Sequence, residues 1–381
     1  MRRSASLLRR IFNAMKYFID AHQDLAYNIL SFNRDYQLSV YETRAFEKVN
    51  PVNGLTSQSL LGWPQYNQGH IALVIGTLFA APARREPVLH PNLAFYHTPE
   101  EANKLYWRQL KLYHQLAEEK PQVYRLIGDK TQLRAHLTEW QSLPDNPDPE
   151  EYLPIGIIPS MEGAEGITDF DELPEWWNAG LRAIGLAWAG NQFCGGTHEP
   201  GGLTPLGRDL LEKMAEVGFV LDLAHMDEPA AFECLDRYQG KIIASHANAA
   251  SLVKGYNSNR LLSDELIKAL ATRDGVIGVV PLNGFLNRDW VKDGGRQAVS
   301  MRLLADQIDY ICQLTGSTRH VGFGTDFDGG IGLEHVPYEL DSIADLAKIH
   351  PLLRDYGYNH AELEAFNAGN FLRVLESILP E

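Results

Sequence analysis

The sequence predicts an α/β fold, a closed (β/α)8 barrel of the TIM type with a helical insertion between its second and third strands. Three observations carry that expectation. The chain of 381 residues alternates short apolar runs with amphipathic stretches along its length. The runs are rich in Ile, Val, Leu and Phe, as parallel strands buried on both faces require. Polar residues gather at the C-terminal ends of runs one, three, five, six and eight, and only a closed ring brings five such ends to one centre. A doubly wound open sheet shows the same alternation without that convergence.

In chain order the expected strands are Tyr17–Asp20, Ile71–Ala80, Leu153–Ser160, Leu181–Trp188, Phe219–His225, Lys241–His246, Val276–Leu282 and Val321–Asp326. Helix-like segments between the later strands are Leu206–Val217, Glu228–Tyr238, Asp264–Arg273 and Met301–Leu314, with Ser263 as an N-cap and Gly275 as a stop for the third. The stretch 84–151 carries two further helical segments, Glu100–Glu119 and Thr131–Trp140, and a Pro-rich piece; it is read as an insertion packed on the barrel. Residues 15–381 therefore form one domain. Met1–Ala14, with four arginines and no adequate apolar core for a signal peptide, is read as a disordered basic extension, with Met15 an alternative start.

With 34 basic and 49 acidic residues the formal charge is −15, which argues against nucleic acid or anionic lipid as the main partner. No apolar run is long enough for a membrane span. Three scattered cysteines, Cys194, Cys234 and Cys312, form no CxxC pair, so the expected location is the reducing cytoplasm.

The strand ends carry the chemistry. Strand one ends in Asp20-Ala21-His22-Gln23-Asp24, and side chains two apart on an extended chain point the same way. Strand three ends in Glu162, strand five in His225, strand six in His246, and strand eight in Asp326-Phe327-Asp328-Gly329. Three imidazoles and two carboxylates (His22, Asp24, Glu162, His225, His246) suit Zn²⁺ and tolerate Mn²⁺ or Co²⁺. Five donors exceed what one catalytic zinc takes, so two ions sharing Glu162 is the economical reading. Asp20 is expected to support the first strand tip and Asp222 to orient a ligand. His70 and His320 fall at the opposite strand ends and are read as structural. His90, His97, His114, His136, His335, His350 and His360 fall in loops or helices and are expected to meet solvent.

With those residues in place, the sequence resembles the membrane (renal) dipeptidase family of zinc metallopeptidases within the amidohydrolase superfamily. The segments that carry the resemblance are Ile19-Asp20-Ala21-His22-Gln23-Asp24, Ser160-Met161-Glu162-Gly163, Leu221-Asp222-Leu223-Ala224-His225, Ser245-His246 and His320-Val321-Gly322-Phe323-Gly324-Thr325-Asp326-Phe327-Asp328-Gly329. It implies hydrolysis of a dipeptide or small dipeptide-like substrate by a hydroxide between two zinc ions, one on His22 and Asp24, the other on His225 and His246, with Glu162 bridging. It also implies that Asp326 moves the proton and touches the substrate, that Arg260 grips the substrate carboxylate, and that the protein is a homodimer. Where the family places a strand-four histidine against the substrate carbonyl, this chain has Trp188, which cannot be cationic. His198 in the next loop is a candidate replacement, and Val280-Pro281-Leu282-Asn283 lacks the aromatic residue expected on strand seven. Trp188 keeps two alternatives open: the same metals acting on an N-acyl amino acid, lactone or biosynthetic intermediate, or a non-catalytic binding protein on the same fold.

Overall fold

A computed structural model describes residues 16–49, 56–85 and 93–381. The extension expected over Met1–Ala14, together with His90, lies outside the described residues. Eight parallel strands form the centre: β1 (Phe18–Gln23), β2 (Ile71–Leu78), β3 (Ile155–Glu162), β4 (Ala183–Gly185), β5 (Val220–Asp222), β6 (Ile242–Ile243), β7 (Ile277–Val279) and β8 (Val321–Phe323). Their spatial order is β6-β5-β4-β3-β2-β1-β8-β7. A parallel bridge between Ala244 and Ile277 joins the two ends. There the Ala244 N–H donates to the Val276 carbonyl at 2.9 Å and the Gly278 N–H to that of Ala244 at 2.8 Å. The ring is thus the expected (β/α)8 barrel. Glycine is needed at its seam: a Cβ on Gly278 or Gly324 would overlap the Ser245 carbonyl oxygen.

β1, β2 and β3 are buried along their whole lengths. A strand covered by helices outside and side chains inside has no wet face, which explains the continuous apolar runs. The later strands are shorter than the apolar runs that announced them. β4 ends at Gly185, so Trp188 sits in the loop beyond it, where Asn191 Nδ2 donates to the Leu186 carbonyl at 2.7 Å and folds the loop back.

The outer helices begin and end where local chemistry dictates. Thr204 caps Pro205–Val217 by accepting from the Gly207 N–H, with proline in the first turn and left-handed Gly218 after the last. Ser263 caps Asp264–Thr272 through the Leu266 N–H. At its other end the left-handed residue is Asp274, φ 57°, while the expected stop, Gly275, returns its N–H to the Leu270 carbonyl at 3.1 Å.

The insertion between β2 and β3 contains helices Pro99–Glu119 and Lys130–Gln141. It also contains an unexpected strand, Tyr124–Leu126, paired with β3; three residues are too few to show a period. The first helix braces the strand ends that bear the site. Tyr106 Oη donates to the Glu162 carbonyl at 3.2 Å, and Tyr113 Oη to that of Thr77 at 3.0 Å. His136, on the second helix, is fully buried rather than solvent-facing. Its Nε2 meets the Ala72 carbonyl of β2 at 2.7 Å, a partner that helical spacing could not reveal. His350 is half-buried, stacked on Phe18 at 5.6 Å between ring centroids.

Candidate active site

The C-terminal ends of β1, β3, β5, β6 and β8 bring His22, Asp24, Glu162, His225, His246 and Asp326 together, as the closed ring requires. His22 Nε2 lies 3.6 Å from Glu162 Oε2, 4.0 Å from Asp24 Oδ1 and 3.8 Å from Asp326 Oδ1. The other oxygen of the same carboxylate, Glu162 Oε1, lies 3.0 Å from His225 Nε2 and 3.3 Å from His246 Nε2. These two imidazole nitrogens are themselves 2.9 Å apart.

Each imidazole is aimed by a hydroxyl at its far nitrogen. Thr77 Oγ1 stands 3.4 Å from His22 Nδ1, Thr197 Oγ1 2.9 Å from His225 Nδ1, and Ser245 Oγ 2.8 Å from His246 Nδ1. All three Nε2 atoms therefore face the centre. Asp222 acts one step further out, accepting from the Ser245 N–H at 2.8 Å. Asp20 accepts from the Thr325 N–H at 2.8 Å and from Thr325 Oγ1 at 2.5 Å, tying β1 to the segment after β8. The three hydroxyls escape sequence reasoning, because Thr and Ser are common and only Ser245 adjoins its histidine.

Two of these six site residues hold strained backbone. His225 (φ 67°) and Asp326 (φ 56°) are left-handed without being glycine, an arrangement that surrounding structure must impose. In both, the turn comes just past a strand end. Gly329 completes the pocket: a Cβ there would overlap Asp326 Oδ1 and lie 2.7 Å from Asp24 Oδ2.

The electrostatics call for positive charge. Burial raises the Asp24 carboxyl to about 7. Burial, then the neighbouring Asp24 carboxylate, drives Glu162 and Asp326 well above the ordinary range. Burial, then the charge of Arg260, lowers the His22 imidazole to about 3, and His225 and His246 are also lowered, first by burial. Neutral imidazoles are the form that ligates metals, and clustered carboxylates are stable ionised only beside cations. Among the described residues, buried His22 Nε2 and Asp24 Oδ1 have no hydrogen-bond partner. His22, Glu162 and His246 form one group whose donor atoms lie close enough to share an ion; His22, Asp24 and Asp326 form another. The donor set fits metal ions.

A cleft of about 640 Å³ opens above this centre. Arg260 lines it and is nevertheless buried. Its Nη2 donates to the His246 carbonyl at 2.9 Å, and its guanidinium sits 5.3 Å from the Phe285 ring centre. Nη1 has no partner among the described residues. Phe285, two residues past the stretch that lacked an aromatic, supplies one from the helix after β7. Trp188 lines the cleft, its ring 6.1 Å from that of His225. His198 does not line it; the residue is exposed, with its N–H bound to Asn259 Oδ1 at 3.0 Å. His335, expected in solvent, lines the cleft instead.

The sequence pattern of the family described as membrane dipeptidase (peptidase family M19) matches residues 6–379. The chain is 30% identical over 234 residues to a Klebsiella pneumoniae protein described as uncharacterised, in the pqqA 5′ region, covering 59% of this chain and 82% of that one. It is 26% identical over 236 residues to dipeptidase aclJ of Aspergillus oryzae, covering 60% of this chain. The matched stretch is 53% of that relative's length, so about half of it. Its fold is similar to that of a Rhodobacter sphaeroides metallopeptidase solved with a phosphinate mimic of the dipeptide L-Ala-D-Ala. There the TM-score is 0.73 at 19% identity, covering 96% of this chain and all of that one.

Proposed function

Since this chain belongs to the membrane dipeptidase family of metallopeptidases, we propose that it cleaves the amide bond of a dipeptide or small dipeptide-like substrate at a centre holding two zinc ions, replaceable by Mn²⁺ or Co²⁺. The observation that carries this reading is the division of Glu162: Oε1 faces His225 and His246, and Oε2 faces His22. A carboxylate whose two oxygens address two donor groups suits two ions better than one. His22 and Asp24 would hold one ion, His225 and His246 the other, with Glu162 shared. When bound, the ions supply Lewis-acid polarisation and lower the pKa of water.

The chain's own residues do the rest. Arg260 offers its unpartnered Nη1 to the substrate carboxylate, a charge-assisted contact in a site shielded from water. That anchor sets the scissile carbonyl over the centre, and positioning of this kind accounts for much of a rate enhancement. Asp326, left-handed and aimed inward, takes the proton that the attacking water gives up. It then returns that proton to the leaving nitrogen as the C–N bond breaks, so the products are a free carboxylate and a free amine. Trp188 walls the cleft where a cationic side chain would otherwise stand, and its indole N–H offers one hydrogen bond.

A second reading keeps the metals and changes the acyl group to one without a free amine, as in an N-acyl amino acid; Trp188, apolar at the cleft wall, favours it. Metal analysis of the purified protein, with turnover of dipeptides against N-acyl amino acids, separates the readings. Two zinc ions per chain and dipeptide turnover support the first. A protein that holds no metal, and that zinc neither activates nor shifts in Tm, is a binding protein instead. Asp326→Asn keeps the metal and loses turnover; undiminished activity would remove Asp326 from the proton path.

A further inference from the structure

One wall of the cleft is a continuous run of aromatic rings reaching from its mouth to the centre. Phe32 and Tyr27, on the helix Leu25–Phe32 after β1, are 5.9 Å apart at 79° between ring planes. Tyr27 and Phe79, just past the end of β2, are 5.3 Å apart at 64°. Phe79 and Trp188, in the loop after β4, are 5.4 Å apart at 62°. Every neighbour is edge to face at a separation favourable for aromatic pairs, so each ring fixes the next and the wall stands ready before anything binds. All four rings line the cleft. Phe32 and Phe79 are buried behind it, while Tyr27 and Trp188 are partly exposed towards it.

The wall lies opposite the cationic anchor. Its rings follow β1, β2 and β4, whereas Arg260 follows β6 and Phe285 follows β7, and the spatial order of the strands puts these sets on different sides of the barrel mouth. A substrate held by its carboxylate at Arg260, with its amide over the carboxylates and imidazoles, lays its acyl half along the rings. We propose that this wall is a specificity pocket for a large aromatic side chain on the acyl side of the scissile bond. The preferred substrates are then amides that join an aromatic acyl residue to a small residue with a free carboxylate. This rests on the dipeptidase reading above and narrows it. The cleft volume of about 640 Å³ is within the range that encloses ligands of drug size (about 300–1,000 Å³), leaving room for a ring beyond the amide.

The test compares Phe-Ala, Ala-Ala and Ala-Phe on the zinc-loaded enzyme, with calorimetric binding of the matching phosphinate dipeptide analogues. An apolar pocket discriminates by about 10- to 200-fold per methylene. Phe-Ala is accordingly expected to exceed Ala-Ala in kcat/KM by about 10-fold or more, mainly through KM, and to exceed Ala-Phe. The phosphinates should follow the same order in Kd. In Phe79→Ala the ratio of Phe-Ala to Ala-Ala falls towards one, and Phe79→Tyr restores it. Equal kcat/KM for Phe-Ala and Ala-Ala, or a preference for Ala-Phe, overturns the pocket while leaving the dipeptidase reading intact. If no dipeptide is cleaved, that reading fails, and equal Kd values for the phosphinates then overturn the pocket by themselves.

Discussion

Asp20 and Thr325 clamp the first barrel strand to the segment just past the last: the Asp20 carboxylate accepts from both the backbone N–H and the hydroxyl of Thr325, at 2.8 and 2.5 Å. The next residue along, Asp326, is thereby brought to 3.8 Å from His22. Replacing Asp20 by Asn turns one oxygen into a donor facing the donors of Thr325 and Gln23. Asp20→Asn is expected to lower stability by about 1–3 kcal/mol, the cost of buried unsatisfied polar groups. It should also reduce turnover, because the clamp sets the approach of Asp326. Urea denaturation and steady-state kinetics check the two effects; full stability would show that the clamp carries no load.

Gly329 tests how closely the carboxylates are packed. Its missing side chain is replaced in space by Asp326 Oδ1 and Asp24 Oδ2, so Gly329→Ala must push one of them aside. A displacement of about 1 Å at a reacting centre costs on the order of 100-fold, and a loss of kcat of that size is expected. The global fold should survive, since the residue is only half-buried. Unchanged kcat would mean that neither carboxylate needs its present position.

Asp328 shares a motif with Asp326 but has a different task. It is buried, 3.0 Å from Arg34 Nη1, and accepts from Tyr36 Oη at 3.0 Å, Ser59 Oγ at 2.7 Å and the Leu60 N–H at 2.8 Å. Asp328→Ala strands those donors and removes one of the two carboxylates that pair with buried Arg34, leaving Glu47 at 2.7 Å. Each buried donor left unsatisfied costs about 1–3 kcal/mol, so the variant should be destabilised by at least about 2 kcal/mol, read as a lowered denaturation midpoint. A loss under about 1 kcal/mol, the range of exposed pairs, would contradict the buried network.

His136 sets an acid limit on stability. Burial lowers its imidazole from 6.5 to about 4. Between those values the unfolded chain takes up a proton that the folded one refuses, so the unfolded state gains as pH falls. The contribution is full above about pH 6.5 and is lost progressively towards about pH 4. In His136→Gln, which can still donate to the Ala72 carbonyl, the stability lost between about pH 7 and about pH 4.5 should shrink by roughly 2 kcal/mol. Identical pH dependence in the two proteins would show that His136 takes up its proton as readily in the fold as in the unfolded chain.

The barrel was legible because its signal is local. Apolar runs, capping residues and their repetition set the strands and helices, and parallel strands in a closed ring must deliver their C-terminal ends to one mouth. Hence the polar residues at five strand tips could be grouped from the chain alone, and with them the family. What the tertiary structure decided depends on residues far apart in sequence. Asp326 and Asp328 look equivalent in the motif and both are left-handed, yet one comes within 3.8 Å of His22, while Arg34, distant in the chain, engages the other. The Thr77 and Thr197 hydroxyls behind His22 and His225, the burial of His136 and Arg260, and the aromatic wall from three separate strand ends arise the same way. Each is a contact between segments with no shared periodicity. Spacing along the chain determines which face a side chain takes, and only packing decides what meets it there.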